Sequence, residues 1–220
     1  MLPIIFLGPS LSLQKAKEIF PLADYRPPAR KGDFLKITND RNNTGFVGFI
    51  DGVFLQDYPP TPIEVYSLLQ KNNITVAGAA SLGALRAVEL EKFGMIGIGK
   101  IFRLYRSGRL ESDDEVAVTF SDHDYKLQSE ALIDIRYTLY YTLKDGIIDH
   151  DTKNILVKIA KRTYFPSRNY DEILERARID GVEYKHLERL KEYLTTHRRS
   201  LKEEDSIKLI QFIKERYLES

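Results

Sequence analysis

Residues 1–90 alternate short apolar blocks with helix-period stretches, and residues 125–220 are mostly helix-period. Ile4-Ile5-Phe6-Leu7 is a contiguous apolar run, the pattern of a short buried strand. Gly8-Pro9-Ser10 turns the chain, and Ser10 or Ser12 is placed to cap a helix over 13–20 that Pro21 ends. Pro27-Pro28 excludes helix over 25–33 and predicts an extended loop there. Residues 34–38 fit a short helix or a strand. Residues 46–50 form a second buried strand, closed by the turn dipeptide Asp51-Gly52. Thr61-Pro62 marks a helix start, and that helix runs to about Lys71, before Asn72-Asn73. Residues 74–77 make a third strand, with a helix beginning at Leu82. Three strand-then-helix units predict an α/β fold with a mostly parallel sheet and flanking helices.

Past Gly94 the pattern changes. Gly94, Gly97 and Gly99 lie close together, residues 101–106 are helical, and Gly108 ends them. Ser112-Asp113-Asp114-Glu115 fits a helix start or a solvated acidic turn. From Tyr125 onward the pattern predicts helices over 127–144, 152–162, 170–177, 184–195 and 203–218. The expected organisation is an α/β core over 1–120 followed by an all-helical, highly charged C-terminal region over 121–220.

A chain of 220 residues can bury a proper core without staples. It contains no cysteine, which removes disulfides, thiolate catalysis and Cys-ligated zinc together. Lys plus Arg number 33 against 32 for Asp plus Glu, so there is no global attraction to nucleic acid or to an anionic membrane. The N-terminus lacks the basic flank and length of a signal peptide. The uncharged stretch 74–85 falls well short of the roughly 20 residues a membrane helix needs. The expectation is a soluble cytoplasmic protein.

Gly78-Ala79-Ala80-Ser81-Leu82-Gly83 sets one serine among tiny residues where a strand becomes a helix. That arrangement resembles a nucleophile elbow, in which a sharp turn lifts the serine above the sheet and small neighbours relieve crowding. Gly78, Leu82 and Gly83 would shape the turn, and free N–H groups of the new helix would face a developing oxyanion. The glycine usual two positions before the serine is here Ala79. A plain helix cap at Ser81 explains the pattern equally well.

A serine nucleophile needs a base. His123, His150, His186 and His197 all stand in polar, charged contexts that suit surface residues. A lysine can serve instead when its surroundings lower its pKa. Lys31, between Pro27-Pro28 and Gly32-Asp33, and Lys100, after the glycine series, stand in unusual settings. Asp51 ends a strand at the edge where α/β sheets hold ligands and is either a site residue or a turn former. Arg86 and Glu89 are three apart on the helix after Ser81 and can pair. Asp113-Asp114-Glu115 could bind a metal, but adjacent carboxylates diverge, and favourable placement at a helix start explains them as well. No metal or cofactor is called for.

One ordered series stands out. It comprises Phe6-Leu7-Gly8-Pro9-Ser10-Leu11, Pro27-Pro28 with Lys31-Gly32-Asp33, Ile50-Asp51-Gly52, the block from Gly78 to Leu90, Phe93-Gly94-Met95 with Gly97-Ile98-Gly99, and Asp113-Asp114-Glu115-Val116-Ala117. Over roughly residues 4–120 it resembles TfuA-like proteins. The resemblance implies an accessory protein for peptide or protein backbone thioamidation. Its partner would be a YcaO-type enzyme, which uses ATP to activate a peptide amide oxygen for replacement by sulfur. It further implies hydrolysis of a thiocarboxylated, ThiS-like sulfur carrier to release sulfide, through a serine–lysine hydrolase-like site. The family serine falls on Ser81, and Lys31 and Lys100 compete for the lysine. The thioamidated target would be a ribosomally made peptide or a protein such as methyl-coenzyme M reductase.

Two other functions fit the same residues. One is a non-catalytic adaptor that docks substrate or sulfur carrier onto the YcaO partner. The other is a nucleotide-binding module using the Ser81 turn as an anion cradle, though no Gly-Lys-[Ser/Thr] follows it.

Overall fold

The computed structural model describes residues 2–40, 45–53 and 58–219. The chain forms two compact units. One comprises the residues up to Asp113 together with those from Lys202 on, and the other spans Asp114 to Leu201.

The first unit holds β1 (Ile4–Phe6), α1 (Leu13–Ile19), β2 (Asp24–Arg26), α2 (Asp33–Asn39), β3 (Gly45–Phe49), α3 (Pro62–Leu69), β4 (Ile74–Gly78), α4 (Leu82–Leu90), β5 (Ile96–Gly97) and α5 (Gly99–Arg106). All strand pairs are parallel, in the order β2-β1-β3-β4-β5. This is a doubly wound order whose winding reverses between β1 and β3. The expected α/β class, with a parallel sheet and flanking helices, is therefore the observed one.

Local chemistry explains most boundaries. Ser12, rather than Ser10, caps α1, accepting from the Lys15 N–H at 3.3 Å. Residues 34–38 resolve as helix, entered through left-handed Gly32 (φ 91°). Thr61 and Glu64 form a capping box at α3, with Pro62 in its first turn. Overlapping the start of the stretch expected to be loop, Asp24–Arg26 pairs with β1 as an edge strand.

α10 (Leu201–Glu219) returns from Lys202 onward to the sheet unit. Leu209, Ile210 and Ile213 are fully buried in one apolar cluster with Ile5, Leu7, Leu11, Ile50, Ala77, Ala79 and Ala80.

The second unit consists of α6 (Leu132–Lys144), α7 (His150–Arg162), α8 (Tyr170–Ile179) and α9 (Tyr184–Leu194). Its core is their helix-spaced apolar residues, including Leu132, Ile135, Leu139, Leu156, Ile173 and Leu190. α6 begins at Leu132 rather than 127, because Phe120 and Leu127 form an antiparallel bridge upstream. Among the described residues no helix is long and apolar enough to cross a membrane.

Candidate active site

The parallel sheet gathers its strand-to-helix loops on one edge. Gly8–Ser10 follow β1, Ala29–Lys31 follow β2, Asp51 and Gly52 follow β3, Ala79–Ser81 follow β4, and Ile98–Lys100 follow β5. Ser10, Lys31, Asp51, Ser81 and Lys100 therefore share this edge. In α/β sheets it is the edge that holds ligands.

At the end of β4 the chain reverses within three residues. The Ser81 N–H donates to the Ala79 carbonyl at 2.8 Å, closing a γ-turn, and Ala80 between them has φ 64°. Such turns are rare and strained for a residue with a Cβ. The strain thus lies one residue before the serine, because a γ-turn needs the positive φ at its middle position. Ser81 has φ −119° and ψ −128° and occupies the N-cap of α4. Its hydroxyl makes no cap hydrogen bond and has no partner among the described residues. At 9% exposure it stands at the rim of the core, so simple capping does not account for it.

Gly78 and Gly83 let strand and helix touch. A Cβ on Gly83 would strike the Phe49 carbonyl, and one on Gly78 would strike the Gly83 carbonyl. The Gly83 N–H donates to Ile50 O at 3.2 Å, and the Ala84 N–H to Ser81 O at 2.9 Å. Gly83 was expected to offer its N–H to an oxyanion. Its contact with the end of β3 uses that donor, so its role is close packing. Of the first-turn N–H groups, that of Leu82 has no acceptor among the described residues.

Asp51, 1% exposed, ties neighbouring loops together. Its Oδ2 accepts from the Gly8 N–H at 2.9 Å and the Ser10 N–H at 3.1 Å, and its Oδ1 accepts from Ser10 Oγ at 2.6 Å. Its backbone carbonyl accepts from the Ala29 N–H at 2.9 Å. The crevice between β1 and β3 is thereby bound to the protein's own carboxylate. The N–H groups after β1 that would cradle a phosphate are already engaged.

The two lysines differ in place. Lys100 lies in the first turn of α5, directly after β5, the neighbour of β4. Lys31 follows β2 at the opposite margin of the sheet, its ammonium 5.5 Å from the centroid of the Tyr58 ring. Both are exposed. Arg86 and Glu89 pair as expected, at 2.9 Å, and Arg86 Nε also donates to Pro60 O at 3.1 Å. That pair anchors the entry to α3.

The acidic triplet has a structural use. Asp114 Oδ2 accepts from Arg168 at 2.7 Å, and Glu115 receives two bonds from Arg136, both at 2.9 Å. These partners lie 54 and 21 residues away, separations that no local pattern discloses.

The fold and this edge define a doubly wound α/β protein with an uncommitted serine at a strand-to-helix turn. Compared with known families, residues 51–169 match TfuA-like protein, more than half of the chain and a span that includes Ser81 and the Asp-Asp-Glu block. The chain belongs to the TfuA-like family. That family is associated with YcaO-dependent systems, in which its members are accessory proteins. No curated protein matches the chain.

Proposed function

We propose that this protein releases sulfide for backbone thioamidation by hydrolysing the C-terminal thiocarboxylate of a ThiS-like carrier, with Ser81 as nucleophile. The observation that carries this reading is the Ser81 hydroxyl itself. It stands on a strained turn at the ligand edge of the sheet, makes no cap hydrogen bond and has no hydrogen-bond partner among the described residues. The Leu82 N–H beside it is a donor for the oxyanion of a tetrahedral intermediate. A lysine completes the site, and Lys31 and Lys100 are the two that the sequence offers. The working location is the cytoplasm, beside the YcaO-type enzyme that consumes the sulfur, with a peptide or protein as the final acceptor.

The competing adaptor reading needs no chemistry at Ser81. A nucleotide module is disfavoured by the bonds of Asp51 to the Gly8 and Ser10 N–H groups. The deciding experiment is sulfide release from a thiocarboxylated carrier by wild type and Ser81→Ala, with circular dichroism and a pull-down of the YcaO partner in parallel. Loss of several orders of magnitude in turnover is expected, with stability changed by no more than about 1 kcal/mol. A folded Ser81→Ala protein that releases sulfide normally would make the turn a docking feature.

A further inference from the structure

A cation at this edge has a chemical role that rests on Ser81 being the nucleophile, and the substrate is then itself an anion. Attack of the serine oxygen on R–C(O)S⁻ forms a C–O bond and breaks the C–S bond. The serine proton must reach the sulfur for it to leave as HS⁻. Water then cleaves the ester to the carboxylate, restores the serine hydroxyl and releases one proton. A lysine ammonium beside the reacting atoms would pair with the thiocarboxylate, protonate the departing sulfur and take up the serine proton in exchange.

Lys31 and Lys100 are exposed to solvent. Among the described residues, Lys202 is the one buried lysine, at 2% exposure. It lies on a stripe of α10 with Ser206, Leu209 and Ile213, all buried and spaced as one helix face. That stripe faces the sheet, since a Cβ on Gly48 would meet Ile213 Cδ1 at 2.7 Å and Leu209 Cδ2 at 2.9 Å.

α10 runs against the strand direction. Phe212 and Glu219 share a groove with Phe46, near the start of β3. Asp205, by contrast, accepts the Ile101 N–H at 2.7 Å, beyond the end of β5. Leu209 lies level with Gly48, which pairs in register with Ala77. From that level β4 runs one residue further, to Gly78, before the turn that carries Ser81, and Lys202 is seven residues back along α10 in the same direction. Ser81 therefore stands beyond it by one strand residue and the turn, and Lys202, at about 1.5 Å per helix residue, by on the order of 10 Å. Side chains of a helix lean toward its N-terminus, so the Lys202 stem reaches outward over this edge. The turn belongs to the same apolar cluster as α10, which contains Ala79, Ala80, Leu209 and Ile210.

We propose that Lys202 is the cation of the Ser81 site, holding the thiocarboxylate and relaying the proton from serine oxygen to sulfur. The test is steady-state sulfide release from a thiocarboxylated ubiquitin-like carrier by wild type, Ser81→Ala, Lys202→Met and Lys202→Arg, each checked for folding. Lys202→Met is expected to lose at least about a hundredfold in kcat/KM, the scale of a lost proton-transfer group. Lys202→Arg keeps the charge but cannot give up its proton. It should hold KM within about threefold while kcat falls about a hundredfold. A structural role would instead lower the melting temperature of both variants and leave kcat per folded molecule intact. Lys202→Met at wild-type rate overturns the assignment of Lys202 alone, provided Ser81→Ala is dead. If Lys202→Met fails to fold, full kcat in Lys202→Arg overturns it equally. An active Ser81→Ala, or a wild type that releases no sulfide, removes the nucleophile reading and Lys202's role with it.

Discussion

The two units treat their polar groups differently. In the helical unit, charges are committed in pairs. Arg168, fully buried, donates to Ala160 O, Thr163 O, Asp114 O and the Asp114 carboxylate. Glu115 is held by Arg136, and Asp134 accepts from Ser200 Oγ and the Leu201 N–H. In the sheet unit, the edge carries a hydroxyl with no partner among the described residues, next to a left-handed alanine. Satisfied buried charge gives a unit its particular packing, whereas an uncommitted hydroxyl beside a strained turn is what the proposed chemistry requires. The Asp-Asp-Glu block, which lies within the family match, is architectural in this chain through Asp114 and Glu115.

The contrast breaks if the ion pairs of the helical unit are dispensable. Arg168→Met strips the acceptors Ala160 O and Thr163 O of their donor and removes the guanidinium from Asp114. The expected cost is about 3–5 kcal/mol, from two buried carbonyls left without this donor at about 1–3 kcal/mol each and from the ion partner lost to the partly exposed Asp114. Urea unfolding measures it. A variant of unchanged stability would free Asp114 for a role in chemistry.

Asp51 lies between the two behaviours, since it is buried and bonded like the charges of the helical unit but sits at the ligand edge. Asp51→Ala removes the acceptor of Gly8 N, Ser10 N and Ser10 Oγ. A loss of about 2–3 kcal/mol is expected, with Ser10→Ala costing about 1 kcal/mol. Thermal unfolding checks the ranking. Were Asp51→Ala stable yet inactive, Asp51 would join Ser81 in the proposed site.

The same contrast explains what the sequence discloses. Strands β1, β3 and β4 are contiguous apolar runs, so they are readable locally. β2 is not, because Asp24-Tyr25-Arg26 is polar and half-buried, and β5 is two residues long. Ser81 is readable because a tight strand-to-helix turn demands small neighbours on both sides. The Asp51–Ser10 bond joins residues 41 apart and leaves no periodic trace. Lys202-Glu203-Glu204-Asp205 has the composition of a solvated helix face. Lys202 and Asp205 are nonetheless buried, because the helix returns to the sheet unit and Asp205 serves the first turn of α5. Composition records charge, and burial is decided by what packs on it.

Glu130 sharpens the comparison on the smallest scale, because there burial outweighs pairing. Its carboxylate lies 3.0 Å from Arg198, yet burial pushes its pKa up, with Arg198 opposing and Asp134 reinforcing the rise. A carboxylate whose pKa is higher folded than unfolded binds its proton more tightly in the folded state. Its contribution is therefore most favourable below the unfolded value, near 4.5, and is lost as pH rises through the folded value. At neutral pH the ionised Glu130 weighs against folding. Glu130→Gln, which cannot ionise, should be at least as stable as wild type at pH 7, by less than about 1 kcal/mol. The difference in melting temperature between variant and wild type should shrink as pH is lowered from 7 toward 4. If the variant is instead the less stable protein at pH 7, and its deficit closes toward pH 4, the Arg198 pair outweighs the burial of Glu130. The helical unit would then draw stability from a half-exposed charge pair as well as from the pair made by the buried Arg168.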